Sequence, residues 1–186
     1  MFAEPQKYFF NVDEYYRMAG AGLFSDGPHV ELIEGEVIEM NPIGSRHAGC
    51  VDDLTSLLVP KVARLAIVRV QGPIRIDEYS EPQPDIALLK PRRDSYRRSH
   101  PTPSEVLVVI EVSDTSAHYD RNVKLPLYAR GGIPEAWLVI LAKDVIEVHS
   151  EPKNGKYTKV QRLRRGKTLT SSTVAGLSLS VDDILG

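Results

Sequence analysis

The order of apolar patterns along the chain predicts an α/β (α+β) fold in which helices flank one central mixed β-sheet. Helical, hairpin and strand patterns follow one another, and the segment VLVVI at 106–110 is apolar enough for a strand buried on both faces. A length of 186 residues, with 42% hydrophobic and 26% charged residues, is typical of one globular core. We therefore expect a single domain over residues 1–186.

The N-terminal third predicts two helices separated by a hairpin. Asn11 is a suitable cap for a short helix that two glycines end. The alternating segment 29–40 turns at a Glu-Gly dipeptide, which is typical of a hairpin. Helical spacing then runs through 45–66, where Pro60 is an expected interruption.

The rest of the chain predicts the sheet and one further helix. The segment 67–76 is either one strand or a strand pair broken at a Gly-Pro step, and a helix is expected around 121–130, where a Gly-Gly pair stops it. Further strands are expected at 84–90, 106–112, 135–140, 144–150 and 156–163. The last two flank a PKNG turn, and 175–186 predicts a short strand with one helical turn.

Composition argues against several classes of protein. The net charge of −2 does not suit a strongly basic nucleic-acid coat, and no apolar run approaches the roughly 20 residues that span a membrane. The N-terminus lacks the pattern of a secretory signal, and the single cysteine, Cys50, has no partner for an internal disulfide. We therefore expect a cytoplasmic protein without a membrane partner.

Positive charge is concentrated in two segments, 90–100 and 153–167, which carry five and seven Lys or Arg residues. These segments could contact phosphates, or they could be a solvated loop and an exposed hairpin. The first 60 residues, in contrast, hold ten acids and three bases. This asymmetry fits an acidic site with basic flanks.

Two carboxylates stand at apolar strands in a way that suggests a shared site. Glu111 lies inside the apolar run, where a bare charge would cost several kcal/mol or more, and Asp85 follows Pro84 at the start of another strand. If the strands are neighbours, the two carboxylates converge and need a cation or a proton between them. Carboxylates completed by water and substrate phosphates are the usual ligands of Mg²⁺. Lys124, on the following helix, could orient a nucleophile or stabilise charge on a phosphate.

Each of these residues also has a purely structural interpretation. Asp85 could end a loop after Pro84, and Lys124 could be a surface lysine. Alternatively, Lys124 or an arginine could neutralise Glu111 in a buried ion pair. That arrangement would stabilise the fold without any catalysis.

The motifs QPD, IEVS and D…K…YA…GIPEAW, in this order, resemble those of the Uma-type family of restriction-endonuclease-like proteins in the PD-(D/E)XK nuclease superfamily. The resemblance extends from VELIEGEVIEM to GLSLSVDDIL and implies a restriction-endonuclease-like fold. It implies Asp85 and Glu111 as ligands of Mg²⁺ or Mn²⁺, with the backbone carbonyl of Val112 as a further ligand. The superfamily's lysine would stand at Ser113, and the resemblance implies that Lys124 takes over its role.

The resemblance adds three residues and a class of partner. Glu31 matches an acidic residue that precedes the metal pair, Gln83 could bind substrate or order the Asp85 strand, and His47 could support the ligands or contact a phosphate. Helical spacing places Asp120 and Tyr128 on the same helix face as Lys124. The implied partner is nucleic acid, DNA in the first place, and the implied assembly is a homodimer.

The sequence therefore predicts a metal-dependent endonuclease that hydrolyses phosphodiester bonds. A catalytically inactive nuclease fold that binds nucleic acid or protein is the alternative, because Ser113 replaces the strand lysine. A third possibility is a hydrolase that uses Asp85 and Glu111 as an acid/base pair without a metal.

Overall fold

The computed structural model describes residues 6–25, 27 and 29–186, and its centre is a six-stranded mixed sheet. The strands follow one another in chain order across the sheet, and only the pair β5–β6 is parallel. The six strands are β3 (Ile67–Val70), β4 (Ile86–Leu89), β5 (Val106–Ser113), β6 (Glu135–Ile140), β7 (Val145–Lys153) and β8 (Lys156–Leu163).

Helices cover both faces of this sheet. The helical segments of the fold are α1 (Val12–Gly20), α2 (Ser45–Val62), α3 (Ala117–Tyr119), a π turn (Asp120–Lys124), α4 (Leu125–Gly131) and α5 (Val181–Leu185), with short 3₁₀ turns at Pro103–Glu105 and Leu141–Lys143. Helix α1 shares a separate small core with Leu32. On one face, Leu54 of α2 and Ile184 of α5 share a core with Trp137 of β6. On the other face, Leu127 and Tyr128 of α4 share a second core with strand residues. Sheet and helices thus form three layers.

Two small hairpins complete the fold. Strands β1 (Val30–Ile33) and β2 (Glu36–Glu39) pair antiparallel, and β9 (Thr168–Thr170) pairs with β10 (Ser178–Ser180). The turn of the first hairpin needs positive φ at both Glu34 and Gly35, and a Cβ atom on Gly35 would lie only 2.6 Å from the Cβ of Phe9. A bridge between Leu32 and Glu81 holds this hairpin against the segment that leads into β4.

Most of the predicted elements are confirmed. Helix α1 has the Asn11 cap with a full capping box, and both predicted hairpins form. The prediction was wrong at Pro60, because α2 passes through this residue and ends two residues later, at Val62. Only the first half of 67–76 is a strand, since the chain turns at Gln71, whose φ is positive. Strand β9 was not predicted.

The helix after β5 differs most from its prediction. It begins at Ala117 rather than near residue 121, so Lys124 lies in the middle of a continuous helical segment instead of near its start. The N–H of Leu125 donates to the carbonyl of Asp120, five residues back, which widens this turn. Pro126 has no N–H and would crowd an ordinary α-helical turn, so we attribute the wide turn to it.

None of the helices in the described residues is long and apolar enough to span a membrane.

Candidate active site

A cavity of about 430 Å³ opens where β4 begins and β5 ends. Its walls come from the first hairpin, the start of α2, the segment before β4, the end of β5 and the π turn. All seven residues that the sequence selected line this cavity: Glu31, His47, Gln83, Asp85, Glu111, Val112 and Lys124. Strands β4 and β5 are antiparallel neighbours, as the convergence of Asp85 and Glu111 required.

Asp85 is held by hydrogen bonds to one of its two carboxylate oxygens. Its Oδ2 accepts from the backbone N–H of Val112 at 2.8 Å and lies 3.0 Å from Nε2 of His47. The hydrogen bond to Asp85 raises the pKa of His47 above its ordinary value, although burial acts in the opposite direction. No hydrogen bond from the described part of the chain reaches Oδ1 of Asp85, so this oxygen is available in the cavity.

Glu111 is 3% exposed and, like Asp85, forms its polar contacts through one carboxylate oxygen. Its Oε1 accepts a hydrogen bond from the hydroxyl of Tyr128 and lies 3.4 Å from Nζ of Lys124. Burial raises the pKa of Glu111 well above its ordinary value, and Lys124 only partly opposes this effect. Within the described residues no donor reaches Oε2, so Glu111 also presents one free oxygen.

Lys124 extends from the π turn into a ring of acids. Its side chain is 2% exposed, and Nζ lies 3.2 Å from each carboxylate oxygen of Glu31. Burial would lower the pKa of Lys124, but Glu111 and Glu31, with smaller contributions from other acids, outweigh burial and raise it. The ammonium group therefore stays protonated between Glu31 and Glu111.

The strand position of the superfamily's lysine is occupied by a small side chain. Ser113 is fully buried, and its Oγ lies 3.2 Å from Oγ of Ser116, which in turn donates to Oδ2 of Asp120 at 2.6 Å. Asp120 lines the cavity, and burial raises the pKa of its carboxyl. Sequence reasoning placed Asp120 on the helix face of Lys124 but assigned it no role; the spacing of four residues was the available signal.

The carbonyl of Val112 faces the same side as Asp85. In an antiparallel pair the N–H and C=O of one residue point to the same neighbouring strand, and the Val112 N–H points to Asp85. Continuing the β4–β5 register places Pro84 opposite Val112. Because proline has no N–H to donate, this carbonyl has no ladder partner there.

The donor set fits a hard divalent cation. Five acids line the cavity, Glu31, Asp85, Glu111, Asp114 and Asp120, so acidic side chains outnumber the single lysine. Free oxygens of Asp85 and Glu111 and the Val112 carbonyl are the atoms that Mg²⁺ prefers. Among the described residues no three His, Cys, Asp or Glu side chains are grouped so that they could hold a metal ion by themselves.

Comparisons with known proteins identify the family of the chain and a solved structure with a similar fold. Residues 12–182 match the family Uma2, described as "Putative restriction endonuclease", and the chain belongs to this family. A solved structure from Anabaena variabilis ATCC 29413, described as a putative nuclease belonging to DUF820, is similar with a TM-score of 0.70 and 16% identity, over 95% of this chain and 97% of that one. No curated protein matches the chain. The resemblance seen in the sequence and the predicted restriction-endonuclease-like fold class are thereby confirmed.

Proposed function

We propose that this protein is a metal-dependent nuclease that hydrolyses phosphodiester bonds in nucleic acid, DNA in the first place. One observation carries the proposal: Asp85, directly before β4, and Glu111, on the neighbouring strand β5, line one cavity, each with a free oxygen, and Lys124 lies beside Glu111. Membership of a family described as "Putative restriction endonuclease" supports the same chemistry.

Asp85 and Glu111 would hold Mg²⁺ or Mn²⁺, with the Val112 carbonyl as a third protein ligand. Such an ion lowers the pKa of a bound water and neutralises charge on a phosphate. His47 would orient Asp85, because Nε2 of its ring is a hydrogen-bond partner of Oδ2. The other oxygen, Oδ1, is then left directed to the cavity. Gln83 lines the cavity beside Asp85 and would bind substrate there.

Lys124 would stabilise negative charge that develops on the phosphate during hydrolysis. A buried ammonium with a raised pKa is a permanent positive charge, which suits this role better than proton transfer. Glu31 would orient the lysine, since both of its carboxylate oxygens lie 3.2 Å from Nζ. The start of α2 adds further positive potential, because Gly44 lines the cavity and offers no side chain to cap the first N–H groups.

The basic segments would contact the nucleic-acid backbone. Lys90 follows β4 whereas Asp85 precedes it, so the 90–100 segment begins roughly 16 Å from Asp85 at 3.3 Å per residue. Within it, Arg92 pairs with Asp94 and Glu105, which leaves Arg93, Arg97 and Arg98 exposed for phosphates. A homodimer remains a prediction, which sedimentation of the protein with and without DNA would test.

The alternative function is binding of nucleic acid or protein without catalysis. The contacts of Lys124 favour it, because its ammonium is already paired with two buried carboxylates and Ser113 replaces the strand lysine. Such a buried pair would be retained for the fold alone.

Cleavage of plasmid, single-stranded DNA and RNA with Mg²⁺ or Mn²⁺ distinguishes these functions. We expect wild type to cleave at least one substrate and Asp85→Asn to lose both cleavage and calorimetric Mn²⁺ binding. Glu135→Gln is the matched control, because Glu135 is fully buried and bonded to Trp137 and Ser172 away from the cavity. A wild type that cleaves nothing contradicts the nuclease, and activity that survives EDTA indicates metal-free chemistry.

A further inference from the structure

A row of side chains crosses the sheet beneath the helical segment that carries Lys124. Glu111 on β5 is the register partner of Leu138 on β6, which faces Glu147 on β7, which faces Arg162 on β8. Register partners point to the same face of a sheet, so these four side chains lie in one line. Glu111 and Glu147 are thus two carboxylates of the same row, separated by a leucine.

Two ion pairs connect the π turn to this row of side chains. Lys124 reaches Glu111, while Arg121, three residues earlier, donates from Nε to Oε2 of Glu147 at 3.1 Å. Residues three apart on a helix lie side by side, so the two cations of the turn match the two carboxylates of the sheet. Arg121 and Lys124 thus connect the same turn to the same row of the sheet.

Glu147 is built to hold Arg121 firmly. It is 3% exposed, its Oε1 accepts from Nε of Arg162 at 2.9 Å, and Nε2 of His149 lies 3.3 Å from Oε2. Although burial would raise the pKa of Glu147, its hydrogen bonds with Arg121, Arg162 and His149 lower it, so the carboxylate stays charged. Neither Arg121 nor Glu147 is among the described residues that line the cavity, so neither group would touch substrate.

The backbone hydrogen bonds of the π turn differ from those of an ordinary α-helix. Its wide hydrogen bond from Leu125 to Asp120 and the missing N–H of Pro126 leave the segment with fewer regular helical bonds than an α-helix. Rotation of this segment would move Asp120 and Lys124 together, because both lie on its inner face and both are buried.

We propose that Glu147 is a positioning residue that, through Arg121, sets the rotation of the π turn and thereby places Lys124 and Asp120 in the cavity. This inference rests on the proposed nuclease for its kinetic consequence, but not for its structural one. Glu147→Gln and Arg121→Gln should each lower kcat about 10- to 100-fold with KM unchanged, because a displacement of about 1 Å at a reacting group can cost about 100-fold. In a Lys124→Ala background neither substitution should lower kcat further.

A second measurement is independent of cleavage. The ¹⁵N NMR signal of the Lys124 amine, assigned by its loss in Lys124→Ala, should shift or broaden in Glu147→Gln and Arg121→Gln. It should stay unchanged in Glu135→Gln, which removes a buried carboxylate from the same sheet away from the turn. If Glu147→Gln does not fold by circular dichroism, Arg121→Gln carries the test, because Glu147 then keeps Arg162 as its partner.

The outcomes separate this inference from the proposed function. An unchanged Lys124 signal in the folded variants overturns the positioning role, whatever the activity. A changed signal in a chain that cleaves no substrate supports the positioning of Lys124 and overturns the nuclease. A changed signal with lowered kcat and unchanged KM supports both.

Discussion

Glu111 and Glu147 face the same helical segment from the same row of the sheet, and each receives one cation from the π turn. Both residues are 3% exposed. Their surroundings differ in the number of donors. Glu147 is contacted at both oxygens by two arginines and a histidine, whereas Glu111 has Tyr128 and Lys124 at one oxygen only.

The pKa of each carboxyl follows this difference. Hydrogen bonds and ion pairs lower the pKa of Glu147 despite burial, while burial raises the pKa of Glu111 despite Lys124. Burial alone therefore does not distinguish a structural carboxylate from a reactive one. A buried carboxylate with one oxygen free of hydrogen bonds and directed to a cavity is available to a ligand. A saturated carboxylate, by which we mean one whose two oxygens both accept hydrogen bonds from the protein, is not available.

The largest effect on cleavage is expected from removing the charge of Glu111, the carboxylate with a free oxygen. Glu111→Gln should reduce cleavage about 10³-fold or more, since it removes a metal ligand while keeping the shape of the side chain. Plasmid cleavage in Mg²⁺ measures this effect, with Glu135→Gln as the control. If both variants retain wild-type rates, the distinction between the two classes of glutamate has no catalytic meaning.

Removing the cation that Glu111 shares with Glu31 should affect both rate and stability. Lys124→Met should lower kcat about 10²-fold and destabilise the fold by about 3–5 kcal/mol, because two buried carboxylates lose their counter-charge. Urea unfolding and single-turnover cleavage measure the two effects, with the exposed Lys61 replaced in Lys61→Met as the control. A loss of stability without any loss of rate, corrected for folded protein, would favour the purely structural ion pair.

Substitution of His47 tests whether Asp85, which also has a free oxygen, needs a neighbouring side chain that orients it. His47→Ala removes the partner at Oδ2 of Asp85, and outer partners of metal ligands are typically worth about 10- to 100-fold in affinity. We expect Mn²⁺ affinity, measured by calorimetry, to fall by this factor. An unchanged affinity would show that the Val112 N–H is sufficient to hold Asp85.

The two glutamates should respond to pH in opposite directions. The lowered pKa of Glu147 means that its stabilising contribution is present above its ordinary value of 4.5 and is lost as pH falls through the folded-state value. The raised pKa of Glu111 means that its contribution is fully present below 4.5 and is lost as pH rises through the folded-state value. The difference in unfolding free energy between wild type and Glu147→Gln, and that between wild type and Glu111→Gln, should therefore change in opposite directions between pH 3 and 8. Parallel curves for the two variants would contradict the comparison.

The smallest effect on stability is expected at Arg162, the exposed partner of Glu147. The side chain of Arg162 is 72% exposed, so Arg162→Gln should cost less than about 1 kcal/mol in urea unfolding. Arg121→Gln should cost more, because the Arg121 side chain is only 35% exposed and also fixes the turn. Equal costs would show that Glu147 does not distinguish its two arginines.

Local sequence signals predicted the parts of the fold that depend on neighbouring residues. The Asn11 cap, the Glu-Gly and PKNG turns and the apolar run of β5 were recognisable because backbone conformation and burial at these points follow from a few adjacent side chains. The π turn was not recognisable, because Pro126 at one position does not by itself fix which backbone hydrogen bonds its helix forms. Strand β9 was missed because its three residues form a strand only by pairing with β10.

The sequence by itself determined the chemical types in the site: two strand carboxylates, a helix lysine and a serine at the strand position of the superfamily's lysine. Their order along the chain was enough to predict the family and part of the cavity lining. Only the tertiary structure decided which buried glutamate is saturated and which keeps a free oxygen. The physical reason is that the donors around Glu111 and Glu147 come from helix and strand residues far apart in the chain, and only the packed sheet and π turn bring them together.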